Sequence, residues 1–162
     1  GGGWGGVRRE GGGGGGGEML GELRRLAGPT VSVLGPQPFD VLKRHYAQCR
    51  ALIFPGEEDF GMVPVEAMAS GRPVVALGRG GAKETVMKGV TGVFFETQTV
   101  DAIAQAVKAL ARMDINSERI AAHAKQFGRE QFFRKMRIHI DSLLAQRSDA
   151  AEPKLATIRS IE

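Results

Sequence analysis

At 162 residues, 42% of them hydrophobic and 25% charged, the chain has the length and composition of one globular domain with a sizeable core. Its net charge of +4 is spread along the sequence, which argues against nucleic acid as a partner and leaves an anionic small ligand or an acidic membrane surface open. No apolar run approaches the roughly 20 residues of a membrane span, the first residues lack the order of a secretory signal, and Cys49 with the scattered His45, His123 and His139 offers neither a disulfide nor a metal-ligand spacing, so a cytoplasmic protein without a metal is expected.

Residues 1–17, "GGGWGGVRREGGGGGGG", contain twelve glycines and read as a flexible tail or an unassigned segment, because that density carries too large an entropic cost for regular structure. Residues 18–146 read as the domain proper. "EMLGELRRLAG" puts Met19, Leu20, Leu23 and Leu26 on a helical stripe closed by Gly28-Pro29. "TVSVLG" reads as a short strand, "FDVLKRHYAQC" as a helix capped by Asp40, and "ALIFP" as a buried strand. Then "VPVEAMASG" predicts a short helix with Pro64 in its first turn and Gly71 at its end. "RPVVALG" is a strand, "AKETVMKG" a helix of one or two turns, and "GVFFE" another strand. "TVDAIAQAVKALARM" is amphipathic, with Val100, Ile103, Ala104, Val107 and Leu110 on one face. "SERIAAHAKQFGREQFFRKMRIHIDSLLAQ" gives two helices broken at Gly128, and residues 147–162 read as a fraying tail.

Apolar strands alternating with helices imply parallel strands joined by crossovers, a Rossmann-like doubly wound α/β sheet with both faces covered. Ligands of such sheets bind beyond the carboxyl ends of the strands. Two loops fall there: the acidic corner "EEDFGMVPVE" after Phe54-Pro55, and "GRGGAKE" after the strand ending at Leu77. On one continuous helix Glu58 and Glu66 would stand about 80° and about 12 Å apart, too far to cooperate. Gly61 and Pro64 instead predict a helix that starts between them, with Glu58 in the loop and Glu66 near the third helical position. The N–H groups of Phe60, Gly61 and Met62 would then face outward at the positive end of the helix dipole. Amides that receive phosphate oxygens beside carboxylates that accept from vicinal diols suit a nucleotide sugar. The competing reading leaves Glu57, Glu58 and Asp59 solvated and Glu66 merely favouring a helix N-terminus. "GRGG" either makes a turn or brings Arg79, Gly80 and Gly81 to a diphosphate, and Glu84 reads as a helix-start residue rather than a catalyst.

"FPGEEDFGMVPVEAMASGRPVVALGRGGAKETV", Phe54 to Val86, resembles the donor-site signature of retaining glycosyltransferases of family four, also called glycosyltransferase group 1, which have the two-domain fold named GT-B. The match is a Glu, seven residues, a second Glu, then a glycine pair. "VSVLGPQPFDVLKRHYAQCRALIFP", "TGVFFETQTVDAIAQAV" and "RIAAHAKQFGREQFFRKM" are similar to other parts of the same C-terminal, donor-binding domain. The resemblance implies an enzyme in which Glu58 holds the donor sugar's hydroxyls, the amides at Phe60, Gly61 and Met62 border sugar and phosphate, and Glu66 receives the ribose hydroxyls. No residue is singled out as catalytic, and no cofactor or metal is implied; the nucleoside diphosphate sugar is the substrate. The wording of "FPGEEDFGMVPVEAMASGRPVVA" is most similar to mannosyltransferase-like members, which suggests GDP-mannose.

The chain also departs from the family. The first strand and loop, which carry an Arg and a Lys that clamp the diphosphate, have no counterpart, and Arg8 and Arg9 do not fit that spacing. An N-terminal domain with the acceptor site is absent as well, so the chain is expected to be a fragment, inactive alone, whose parent acts on a carbohydrate or lipid-linked acceptor in the cytoplasm or at the membrane surface. A non-catalytic nucleotide-sugar-binding or assembly module, or another enzyme of the same fold such as a sugar-nucleotide epimerase, stays open as the alternative.

Overall fold

The computed structural model describes residues 19–150. The expected glycine-rich tail at 1–17 lies outside the described residues, as do residues 151–162 of the expected C-terminal tail. The centre is a parallel sheet of β1 (Leu52–Phe54), β2 (Val74–Leu77) and β3 (Gly92–Phe95) in that spatial order. Its register places Leu52 opposite Val74 and Val74 opposite Gly92. All four residues of β2 are buried, as a central parallel strand requires when both faces are covered. Successive side chains point to opposite faces. Val74 and Ala76 therefore join Tyr46, Phe54, Met68 and Ile120 in one core layer, while Val75 and Leu77 join Phe95, Ala106 and Leu110 in the other.

Seven helices accompany this sheet among the described residues: α1 (Leu20–Leu26), α2 (Phe39–Gln48), α3 (Met62–Ala69), α4 (Ala82–Thr85), α5 (Val100–Leu110), α6 (Ser117–Ala124) and α7 (Arg129–Ala150). α3 and α6 pack on each other and on the first core layer, whereas α5 covers the second. α3 ends where the N–H groups of Gly71 and Arg72 donate back to the carbonyls of Met68 and Ala67, at 2.8 and 3.0 Å. Thr99 caps α5 by accepting from the Ala102 amide, and Asn116 caps α6 by accepting from the Arg119 amide. A 3₁₀ turn, Lys125–Phe127, joins α6 to α7, with the break at Gly128 where the sequence places it.

Several expectations change. "TVSVLG" forms no extended strand; Val33 alone makes a bridge, because the Val31 amide is drawn into a turn by the Gly28 carbonyl and Gly35 takes a φ of +70°. α2 is flanked by Pro38 and starts at Phe39, so Asp40 sits in the first turn instead of capping it; its charge still favours that end of the dipole. The buried face of α5 runs through Ala102, Ile103, Ala106, Val107 and Leu110, while Val100 is 84% exposed and Ala104 is exposed. The stripe on α1 buries none of its residues. α7 touches chiefly the 3₁₀ turn and leaves Phe132, Phe133, Met136 and Ile140 exposed. It also runs through 147–150, where the sequence reads as tail. No helix among the described residues is long and apolar enough to cross a membrane.

Candidate functional site

β1 and β2 lie side by side and parallel, so the loops leaving their carboxyl ends emerge together. The contact between those loops is close. The Gly81 amide donates to the Glu58 carbonyl at 2.7 Å, which ties the glycine loop to the acidic corner. A Cβ on Gly81 would stand 2.4 Å from the Asp59 carbonyl oxygen and from the Phe60 backbone, and one on Gly80 would stand 2.5 Å from the Glu58 oxygen. Only glycines let the two backbones approach this far. A second tie comes from the loop after β3, where the Gln98 side-chain amide donates to the Pro55 carbonyl at 2.7 Å.

On this frame the acidic corner is presented outward. Glu57, Glu58 and Asp59 are exposed, Phe60 is partly so, and Gly61 turns the chain into α3 with a φ of +77°. Met62 is then the first residue of α3. Among the described residues no backbone hydrogen bond takes the N–H of Phe60, Gly61 or Met62, while Gly61 itself is buried and Phe60 and Met62 are exposed. Glu66 is the fifth helical residue, not the third, because α3 begins directly after Gly61. It is half-buried, and its Oε2 accepts from the hydroxyl of the buried Tyr46 at 2.8 Å. That bond orients the carboxylate and commits one of its oxygens. Beside it a groove of about 280 Å³ is lined by Val65, Glu66, Ala69, Ala121, Phe127 and Gly128.

The glycine loop needs a correction. Gly81 was placed among the amides for a diphosphate, but its N–H is spent on Glu58. Arg79 is exposed and Gly80 has a φ of +54°, so these two remain presented to solvent. Glu96, at the end of β3, stands over Gly78, where an added Cβ would lie 3.2 Å from its Oε1; a diphosphate on this loop would have a carboxylate as neighbour. Lys83 and Glu84 are exposed on the single turn of α4, and Glu84 donates its amide to the Gly81 carbonyl as a helix-start residue does. No group of histidine, cysteine and carboxylate side chains among the described residues is arranged to hold a metal.

Sequence reasoning missed Tyr46, Gln98 and Phe127. Each acts across a long stretch of chain, Tyr46 on Glu66 and Gln98 on Pro55, and no local pattern marks such a partner. The helical periodicity of α2 does put Tyr46 toward the core, but not toward a carboxylate.

Comparison with known proteins gives the site a context. Residues 12–113 match the family model described as glycosyl transferases group 1. A D-inositol 3-phosphate glycosyltransferase of Geodermatophilus obscurus is 36% identical over 125 residues, 76% of this chain and 26% of that protein. An alpha-1,3/1,6-mannosyltransferase of Dictyostelium discoideum is 38% identical over 85 residues, 52% of this chain and 20% of that protein. Among solved structures, a sucrose-phosphate synthase from Thermosynechococcus elongatus superposes with a TM-score of 0.67 at 27% identity, covering 79% of this chain and 34% of that one. The HepE protein of Anabaena, solved in complex with UDP-glucose, superposes with a TM-score of 0.59 at 28% identity, covering 77% and 36%. The matched region spans 26% and 20% of the length of the two relatives named.

Proposed function

This chain belongs to the group 1 glycosyltransferases, and from that premise we propose that it forms the donor-binding domain of a retaining hexosyltransferase of family four, which moves a hexose from a nucleoside diphosphate sugar to an acceptor hydroxyl. The observation that carries the reading is the joint between the two loops. The Gly81–Glu58 bond fixes the exposed corner against the glycine loop, and the Tyr46 bond orients Glu66 at the following helix; in this reading both carboxylates line one crevice. In this reading Glu58 accepts hydrogen bonds from the sugar and Glu66 from the ribose, through the oxygen that Tyr46 leaves open. The amides of Phe60, Gly61 and Met62 border the sugar and its phosphate, and Arg79 with Gly80 lies toward the diphosphate. Fixed dipoles aimed at a departing diphosphate stabilise its charge without reorganisation. The mannosyltransferase among the relatives, together with the wording of the signature, favours mannose, with GDP-mannose the donor to test first and UDP-glucose the comparison.

A facing domain completes the proposal. It would supply the acceptor site, for a carbohydrate or lipid-linked acceptor at the cytoplasmic side, and α7 would reach back to it. The chain by itself is then expected to bind donor weakly and to transfer no sugar.

Separate duties for the two carboxylates are testable by calorimetric titration. Glu66→Gln should weaken nucleoside diphosphate and nucleotide sugar alike, because both carry the ribose. Glu58→Gln should weaken only the nucleotide sugar. Each lost charge-assisted hydrogen bond is worth about 1.5–3 kcal/mol, or roughly ten- to a hundredfold in affinity. Equal losses for both ligands in both variants would mean that the acidic corner only shapes the loop.

A further inference from the structure

The acidic corner has a support besides the glycine loop. The Phe60 ring meets the Phe127 ring edge to face, with centroids 6.0 Å apart and planes at 75°. Phe127 in turn meets the His123 ring at 5.6 Å and 74°. His123 is pinned from two sides: its Nε2 lies 2.8 Å from the Thr85 carbonyl oxygen and its Nδ1 lies 2.7 Å from the side-chain amide nitrogen of Gln126. A carbonyl only accepts, so Nε2 carries the proton and Nδ1 accepts from Gln126. The imidazole therefore cannot turn without losing one bond. Thr85 is itself buried, with its hydroxyl bonded to the Gly81 carbonyl at 3.1 Å. The run from Gly81 through Thr85, His123 and Phe127 to Phe60 is thus closed by the Gly81–Glu58 bond into a ring of contacts around the corner.

We infer that Phe127 is a positioning residue for the acidic corner: held by His123, it fixes Phe60 and so sets where Glu58 and the start of α3 stand. The inference rests on the donor-site reading for its consequence in binding, but its geometry stands apart from that reading. Phe60 is 42% exposed and α3 starts at a left-handed glycine, so neither burial nor backbone stiffness would keep this side chain in one place. The Phe127 edge supplies that constraint. Phe127 lies last in the 3₁₀ turn, directly before Gly128 and α7, so the corner is braced by the segment that leads into the closing helix.

The test is amide exchange on the whole 162-residue chain, read at Gly81, whose N–H is bonded to the corner, against Val74 and Gly78, whose N–H groups are bonded within the sheet to Thr91 and Phe95. Loss of an aromatic pair in Phe127→Ala should speed Gly81 exchange about two- to tenfold and leave Val74 and Gly78 unchanged. Phe127→Tyr, which keeps the ring edge, should restore the slow rate, and His123→Ala should reproduce part of the Phe127→Ala effect. An unchanged Gly81 rate, or an equal rise at all three amides, would overturn the inference, the second because it marks general loosening. Titration with UDP-glucose and UDP separates the donor reading. With the facing domain joined to the chain, Phe127→Ala should weaken UDP-glucose more than UDP, whereas a wild-type joined protein that binds neither, while Phe127→Ala still speeds Gly81 exchange, would sink the donor reading and leave Phe127 as the anchor of the corner.

Discussion

Gly81 meets two requirements that no other residue type meets together: its amide must reach the Glu58 carbonyl, and its α-carbon must pass under the Asp59–Phe60 backbone with no room for a Cβ. Gly81→Ala should therefore push the two loops apart, with an overpacking cost of about 1–3 kcal/mol. Gly21 is the contrast. It lies in α1 with nothing within 4 Å of an added Cβ, so Gly21→Ala should be neutral or stabilising, by up to about 1 kcal/mol. Urea midpoints of the two variants check both signs at once, and a Gly81→Ala chain as stable as wild type would refute the tight joint. From sequence, "GRGG" offered a turn or a diphosphate cradle; its actual reason, a backbone crossing between loops more than twenty residues apart, leaves no local trace. Glu66 was legible as a candidate site residue, while the Tyr46 hydroxyl that orients it was not.

α3, β2 and α6 were readable because pattern and burial agree in them. "PVVA" is apolar without alternation, and the strand it forms is buried on both faces. α5 shows where periodicity is ambiguous. Its apolar residues fall over more than one stripe, and the helix settles with Ala102, Ile103, Ala106 and Leu110 inward, since Val75, Leu77 and Phe95 of the sheet face that side. Val100, in the first turn at the rim, is left in solvent. Leu110→Ala should cost about 2–5 kcal/mol, as a fully buried leucine does when its cavity cannot collapse. Val100→Ala should stay within about 0.5 kcal/mol of wild type. Thermal or urea unfolding of this pair distinguishes the observed face from the one periodicity alone suggests; a large loss for Val100→Ala would restore the latter.

At the scale of the whole molecule, the sheet is covered on both faces, but α7 stands away from it. With 100° per residue, Phe132, Phe133, Met136, Ile140 and Leu143 fall within about 100° of one another around the axis, an apolar stripe whose members are all exposed. A lone helix in water draws little stability from propensity, and most helices in proteins are held by the packing of such a face. In the chain by itself, then, amides 132–147 should exchange far faster than those of α6, where Ile120 is fully buried. If α7 reaches back to a facing domain as proposed, joining that domain to the chain should slow exchange at 130–145 while leaving β2 unchanged. Mass-spectrometric exchange on the chain with and without that domain measures both differences. The stripe should also respond to charge: Phe133→Glu should abolish the slowing by placing a carboxylate in the docked face, yet leave the midpoint of the rest of the fold where it was, because nothing in the sheet depends on that ring. Slow exchange throughout α7 in the chain alone would show instead that the helix is held by the domain's own residues, and unchanged exchange on adding the second domain would show that the stripe has a different partner.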